Sequence, residues 1–110
     1  MKTLHVVDPA QPDAAALIDA ACRAVGFFAV PLSAELAAQR DRLISLAAEF
    51  FALPDEEKSM VAMAHGGPAW RGWFPLGGEL TSGKPDGKEG YYFGAELPPD
   101  PRPMHGPNLW

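Results

Sequence analysis

Arg71–Gly94, RGWFPLGGELTSGKPDGKEGYYFG, decides how this chain is read. It holds five aromatics, seven glycines and the Lys88-Glu89 pair in a segment that is mostly not helix. Trp70–Phe74 and Glu89–Phe93 read as short strands, with Tyr91 and Phe93 on one face because alternate strand residues share a side. Between them, Gly78-Glu79-Leu80-Thr81-Ser82-Gly83-Lys84 has the G-x4-G-K spacing of a phosphate-binding loop. That loop needs Ser or Thr after the lysine, a buried strand before it and a helix behind it. Here Pro85 follows Lys84, Phe74-Pro75-Leu76-Gly77 is no strand, and Asp86-Gly87 is a turn. Nucleotide binding is set aside on those three grounds.

Working back from Arg71, His65-Gly66-Gly67-Pro68 reads as a turn. Pro54 opens a short third helix, with Asp55, Glu56 and Glu57 at its positive end. A long second helix precedes it, capped by Ser33 and favoured by Glu35 in its first turn. Leu36, Leu43, Ala47, Phe50 and Phe51 form its expected buried side, with Gln39, Arg40, Arg42 and Glu49 on the wet side. Phe27-Phe28-Ala29-Val30 is a short apolar run after Gly26 and predicts a buried strand ended by Pro31. The first helix runs from about Asp13, as N-cap, to Val25, with Gly26 as its stop. Leu17, Ile18, Ala21, Cys22 and Val25 make its apolar stripe, so Cys22 reads as a small core residue rather than a reactive thiol. Leu4–Asp8 predicts an opening strand.

Beyond Gly94 the tail LPPDPRPMHGPNLW carries five prolines and excludes a regular element. It ends on Trp110, exposed and uncapped, and the chain reads there as interrupted. The expected class is α+β, with no internal repeat. Its strands are not joined by hairpin turns, so they are expected to find partners outside this chain.

A chain of 110 residues makes one domain at most. Much of its 47% hydrophobic content is alanine, so the core is thin. Net charge is -5 and the nine basic residues are scattered, which denies nucleic acid its cationic footprint. A single cysteine excludes an internal disulfide and suits a reducing compartment. The N-terminus is no signal peptide and no apolar run reaches membrane-spanning length, so a cytoplasmic chain away from membranes is expected.

The chemistry-bearing residue types do not assemble. A non-haem iron site uses two histidines and one carboxylate, commonly as His-x-Asp/Glu with a distant His. The residues two after His5, His65 and His105 are Val7, Gly67 and Pro107. His5-x-x-Asp8 lies on an extended segment, where positions three apart face opposite sides. No complete iron site within the chain and no catalytic residue is expected. Ser33, Ser45, Ser59 and Ser82 lack a nucleophile-elbow setting. Glu79 and Glu89 are a possible carboxylate pair that sequence cannot bring face to face. Arg71, Lys84 and Lys88 could meet a carboxylate substrate, but the favoured reading is that they are solvated loop charges or partners of Glu79, Asp86 and Glu89.

A family resemblance runs through nearly the whole chain. Gly26-Phe27-Phe28 is followed by Glu49-Phe50-Phe51-Ala52-Leu53-Pro54 with Glu56-Glu57-Lys58. Arg71-Gly72, Gly78-Glu79 and Asp86-x-Lys88-Glu89 come next, then Tyr92-Phe93-Gly94 and His105-Gly106-Pro107-Asn108-Leu109-Trp110. In this order the pieces resemble the N-terminal domain of the isopenicillin N synthase-like 2-oxoglutarate/Fe(II)-dependent dioxygenases, over residues 1–110. The resemblance implies helices wrapped against a double-stranded β-helix (jelly-roll) barrel to which the early strands contribute, the barrel itself being absent from this chain. It implies that Fe(II) and 2-oxoglutarate are held by a C-terminal domain, that the parent oxidises a small molecule, and that these residues alone are not catalytic. Two departures are visible: Val30 runs directly into Pro31-Leu32-Ser33 where the family carries a longer turn, and Trp73 stands where tyrosine is common. The resemblance makes Arg71, Trp73 and Phe74 the substrate-contact candidates, loop packing against the barrel being their other reading. The alternative function is a non-catalytic module that pairs through its strand edges with a partner chain.

Overall fold

Three helices and four short strands follow one another along residues 3–110, which the computed structural model describes. The architecture is α+β, and its strands form two small antiparallel sheets. The chain divides into two compact units, the first reaching Ser45 and the second running Leu46–Trp110, with the division inside the long helix.

In the first unit, α1 spans Ala14–Ala24. Gly26 stops it with φ +96°, a backbone conformation that costs glycine little, and its N–H donates back to the Ala21 carbonyl. Asp13 occupies the N-cap position but its side chain makes no capping bond, unlike the cap expected of it. The buried line is Ala14 and Ala21, seven residues apart on one face. This corrects the expected stripe: Leu17 and Cys22 are exposed, and only Ala21 of the five residues is fully buried. Cys22 lies about 100° round the helix from Ala21, enough to carry it off that face.

Leu4–Asp8 and Phe27–Val30 do not form full strands. They meet in one parallel bridge between Val6 and Ala29. The Ala29 N–H donates to the His5 carbonyl at 2.8 Å and the Val7 N–H to the Ala29 carbonyl at 2.9 Å. Val7 is buried, but Phe27 is 61% exposed and Val30 also faces outward, so this run is not the buried strand its composition suggests. A single bridge between two chain segments offers no second layer to cover both faces.

The helix α2, Ala34–Phe51, starts where Ser33 places it: the Ser33 Oγ accepts the Leu36 N–H at 3.2 Å. Its apolar positions do not make an interior. None of its residues is buried, Leu36 and Leu43 are about half exposed, and Ala47, Phe50 and Phe51 are half-buried.

In the second unit Pro54, with φ −58°, leads into α3, Asp55–Lys58, whose first turn carries the three acids. Short 3₁₀ turns follow at Ser59–Val61, Met63–His65 and Gly67–Ala69. Strand β1, Gly72–Phe74, pairs antiparallel with β4, Gly90–Tyr92, in the register Gly72–Tyr92, Trp73–Tyr91 and Phe74–Gly90. Between them β2, Leu80–Thr81, and β3, Lys84–Pro85, form a hairpin. The expectation of strands without partners or hairpin turns is therefore corrected. The turn is Ser82-Gly83, both with positive φ (+53° and +76°), the signs of a type I′ turn whose twist matches antiparallel strands. The phosphate-loop spacing thus resolves into a hairpin. The tail after Glu96 has no regular element, as its prolines predict.

Candidate functional site

The three substrate-contact candidates lie on or beside β1, and the interior of the second unit is built around them. Arg71, Trp73 and Phe74 are all buried, together with Ala69, Lys58 and Asn108. Two glycines make room for this packing. A Cβ on Gly90 would stand 2.4 Å from the Phe74 ring, and one on Gly72 would stand 2.5 Å from the Val61 carbonyl oxygen. Phe74 stacks obliquely on Tyr92, with ring centres 5.2 Å apart. Across the sheet Tyr91 meets the Phe50 ring edge-on at 5.3 Å and donates its hydroxyl to the Leu109 carbonyl. Burial pushes the Tyr91 hydroxyl above its ordinary pKa.

Trp73 is held by charge as well as by packing. Its indole N–H donates to Glu89 Oε2 at 2.9 Å, and the same oxygen accepts Lys58 Nζ at 2.7 Å. Lys58 Nζ also lies 5.3 Å from the Trp73 ring centre and bonds Asp55 at 3.1 Å and, at 3.4 Å, the Phe51 carbonyl. The bond to Glu89 is the main cause of the raised Lys58 pKa, and the bond from Lys58 is the main cause of the lowered Glu89 pKa. Sequence reading named Lys58 only within a motif. The i,i+3 spacing of Asp55 and Lys58 was its one visible signal.

Arg71 is built differently. Its two terminal nitrogens donate to the carbonyls of Ala69 at 2.8 Å and Met104 at 3.4 Å. Gly94 lies against its guanidinium, where a Cβ would stand 2.6 Å from a terminal nitrogen. Its Nε is buried with no hydrogen-bond partner among the described residues. Of the other two cations considered for a carboxylate, Lys88 bonds Glu79 at 3.3 Å and Asp86 at 3.5 Å on the surface, the pairing its alternative reading predicts. Glu89 does not pair with Glu79. It turns to Lys58, while Glu79 accepts the Tyr92 hydroxyl at 2.7 Å.

Behind this strand the tail is clasped by Asn108. Its side-chain oxygen accepts the Gly94 N–H at 2.8 Å, and its side-chain nitrogen donates to the Gly94 carbonyl at 2.9 Å and to Glu96 at 2.8 Å. The Glu96 carboxyl is held below its ordinary range chiefly by that Asn108 side chain, with the Trp110 indole adding to it.

A hollow of about 200 Å³ lined by His65, Pro68, Pro99, Asp100, His105 and neighbouring residues holds the residue types of an iron triad. Asp100 is committed there to Arg102, at 2.6 Å. Among the described residues, no three His, Cys, Asp or Glu side chains are grouped to hold a metal ion. These residues therefore do not fit an iron seat. Among them, too, no helix is long and apolar enough to cross a membrane.

The family model described as "non-haem dioxygenase in morphine synthesis N-terminal" matches residues 2–110. A probable iron/ascorbate oxidoreductase of Dictyostelium discoideum is 42% identical over 102 residues, covering 84% of this chain and 27% of that protein. A 1-aminocyclopropane-1-carboxylate oxidase of Dictyostelium mucoroides is 32% identical over 93 residues, covering 84% of this chain and 25% of the relative. A homoarginine-6-hydroxylase of Oryza sativa subsp. japonica is 32% identical over 99 residues, covering 86% and 30%. The chain belongs to the family of non-haem dioxygenase N-terminal domains. It spans between 25% and 30% of the length of these curated relatives.

Proposed function

We propose that this chain is the supporting domain of a 2-oxoglutarate/Fe(II)-dependent oxygenase that oxidises a small molecule. A C-terminal jelly-roll domain would hold the iron and the 2-oxoglutarate. The observation that carries the reading is the family match across residues 2–110, in proteins of which those residues make up only about a quarter. The name of the Dictyostelium discoideum relative supplies the iron. The domain's task is then mechanical: it packs apolar side chains such as Leu36, Leu43 and Ile44, now exposed, against a barrel. Cytoplasmic placement belongs to the same reading, supported by the single cysteine.

Arg71, Trp73 and Phe74 are the residues we assign to the substrate side of that parent enzyme. Trp73 and Phe74 act by fixing the strand, since both are packed inside it. Arg71 carries the polar part. A buried guanidinium answered by carbonyls is satisfied better by a carboxylate, and one relative is by name an oxidase of 1-aminocyclopropane-1-carboxylate.

The experiment is reconstitution. The Dictyostelium discoideum relative is produced without its matching N-terminal portion and mixed with this chain, and complex formation is followed by light scattering. A one-to-one complex supports the reading. Self-association of this chain, with no binding to the barrel, would favour the alternative module that pairs with copies of itself.

A further inference from the structure

We draw no further inference here: the strongest candidate, the bare apolar face of the long helix α2 around Leu36, Leu43 and Ile44, belongs to the docking reading already proposed, and nothing in the structure shows what covers it.

Discussion

Lys58 and Glu89 stand 31 residues apart in the chain and meet at 2.7 Å, with the Trp73 indole bound to the same carboxylate oxygen. This contact ties α3 to the entrance of β4 and fixes the central side chain of β1. The lysine is closed off from solvent while the glutamate keeps partial access, at 4% and 28% side-chain exposure. Removing Lys58 leaves Glu89 without its cation and the Trp73 ring without its cationic neighbour.

Lys58→Met therefore lowers the thermal midpoint further than Lys88→Met, whose lysine is 55% exposed in its pairing with Glu79 and Asp86. Parallel melts of the two variants followed by circular dichroism check the ranking. Equal losses would mean that the Lys58 contact contributes no more than a surface pair.

The same pair predicts how stability follows pH. Lys58 chiefly, and then the Trp73 indole, holds Glu89 below the ordinary glutamate value of 4.5. Its contribution is fully present above that value and is lost as pH falls through the depressed folded value. Lys58, raised above its ordinary 10.5 chiefly by Glu89, contributes fully below that value and loses its share as pH rises through the raised one. Glu89→Gln should flatten the acid limb of a denaturant-midpoint profile against pH. An unchanged acid limb would show that other carboxylates set it.

Gly72 combines φ +115° with a neighbouring carbonyl oxygen 2.5 Å from where a Cβ would stand. Gly72→Ala is expected to cost at least the roughly 1–3 kcal/mol of a strained backbone position, plus the clash. Urea unfolding reads this as a lower midpoint at unchanged slope.

Asn108→Ala would leave the Gly94 N–H and carbonyl without the partners that now bind them at 2.8 and 2.9 Å. Gly94 is itself exposed, so water can replace the amide, and the loss expected is the roughly 0.5–1.5 kcal/mol of ordinary hydrogen bonds. Hydrogen exchange at the Gly94 amide should rise with it, and a protected amide in the variant would contradict the clasp.

At the hairpin, Ser82 is the non-glycine residue held at positive φ. Asparagine tolerates that conformation better, so Ser82→Asn should stabilise the second unit by up to about 1 kcal/mol. Thermal melts of the two proteins compare them directly.

The features legible in the sequence are those with local causes. Ser33 starts α2, Gly26 ends α1 and Pro54 leads α3, because capping and chain stops act within one turn. Thr81-Ser82-Gly83-Lys84 carried a hairpin signal under a phosphate-loop spacing, and the two left-handed residues decide between them. What stayed hidden depends on distant partners. The buried state of Lys58 needs Glu89, and Asn108 matters because Gly94 and Glu96 come back to it. The exposed Phe27, Leu36 and Leu43 misled in the opposite direction, since periodicity marks a face as apolar without saying what lies against it. Of the candidate site, the family motifs pointed to Arg71, Trp73 and Phe74; they contain Lys58 and Glu89 but do not show that the two pair and hold Trp73.

On the proposed reading, these residues support an oxygenase without performing its chemistry. Succinate release from 2-oxoglutarate in the presence of Fe(II) and ascorbate tests it most directly. The chain alone should release no more succinate than the protein-free control. Release well above that control, abolished by unfolding the chain, would contradict the account.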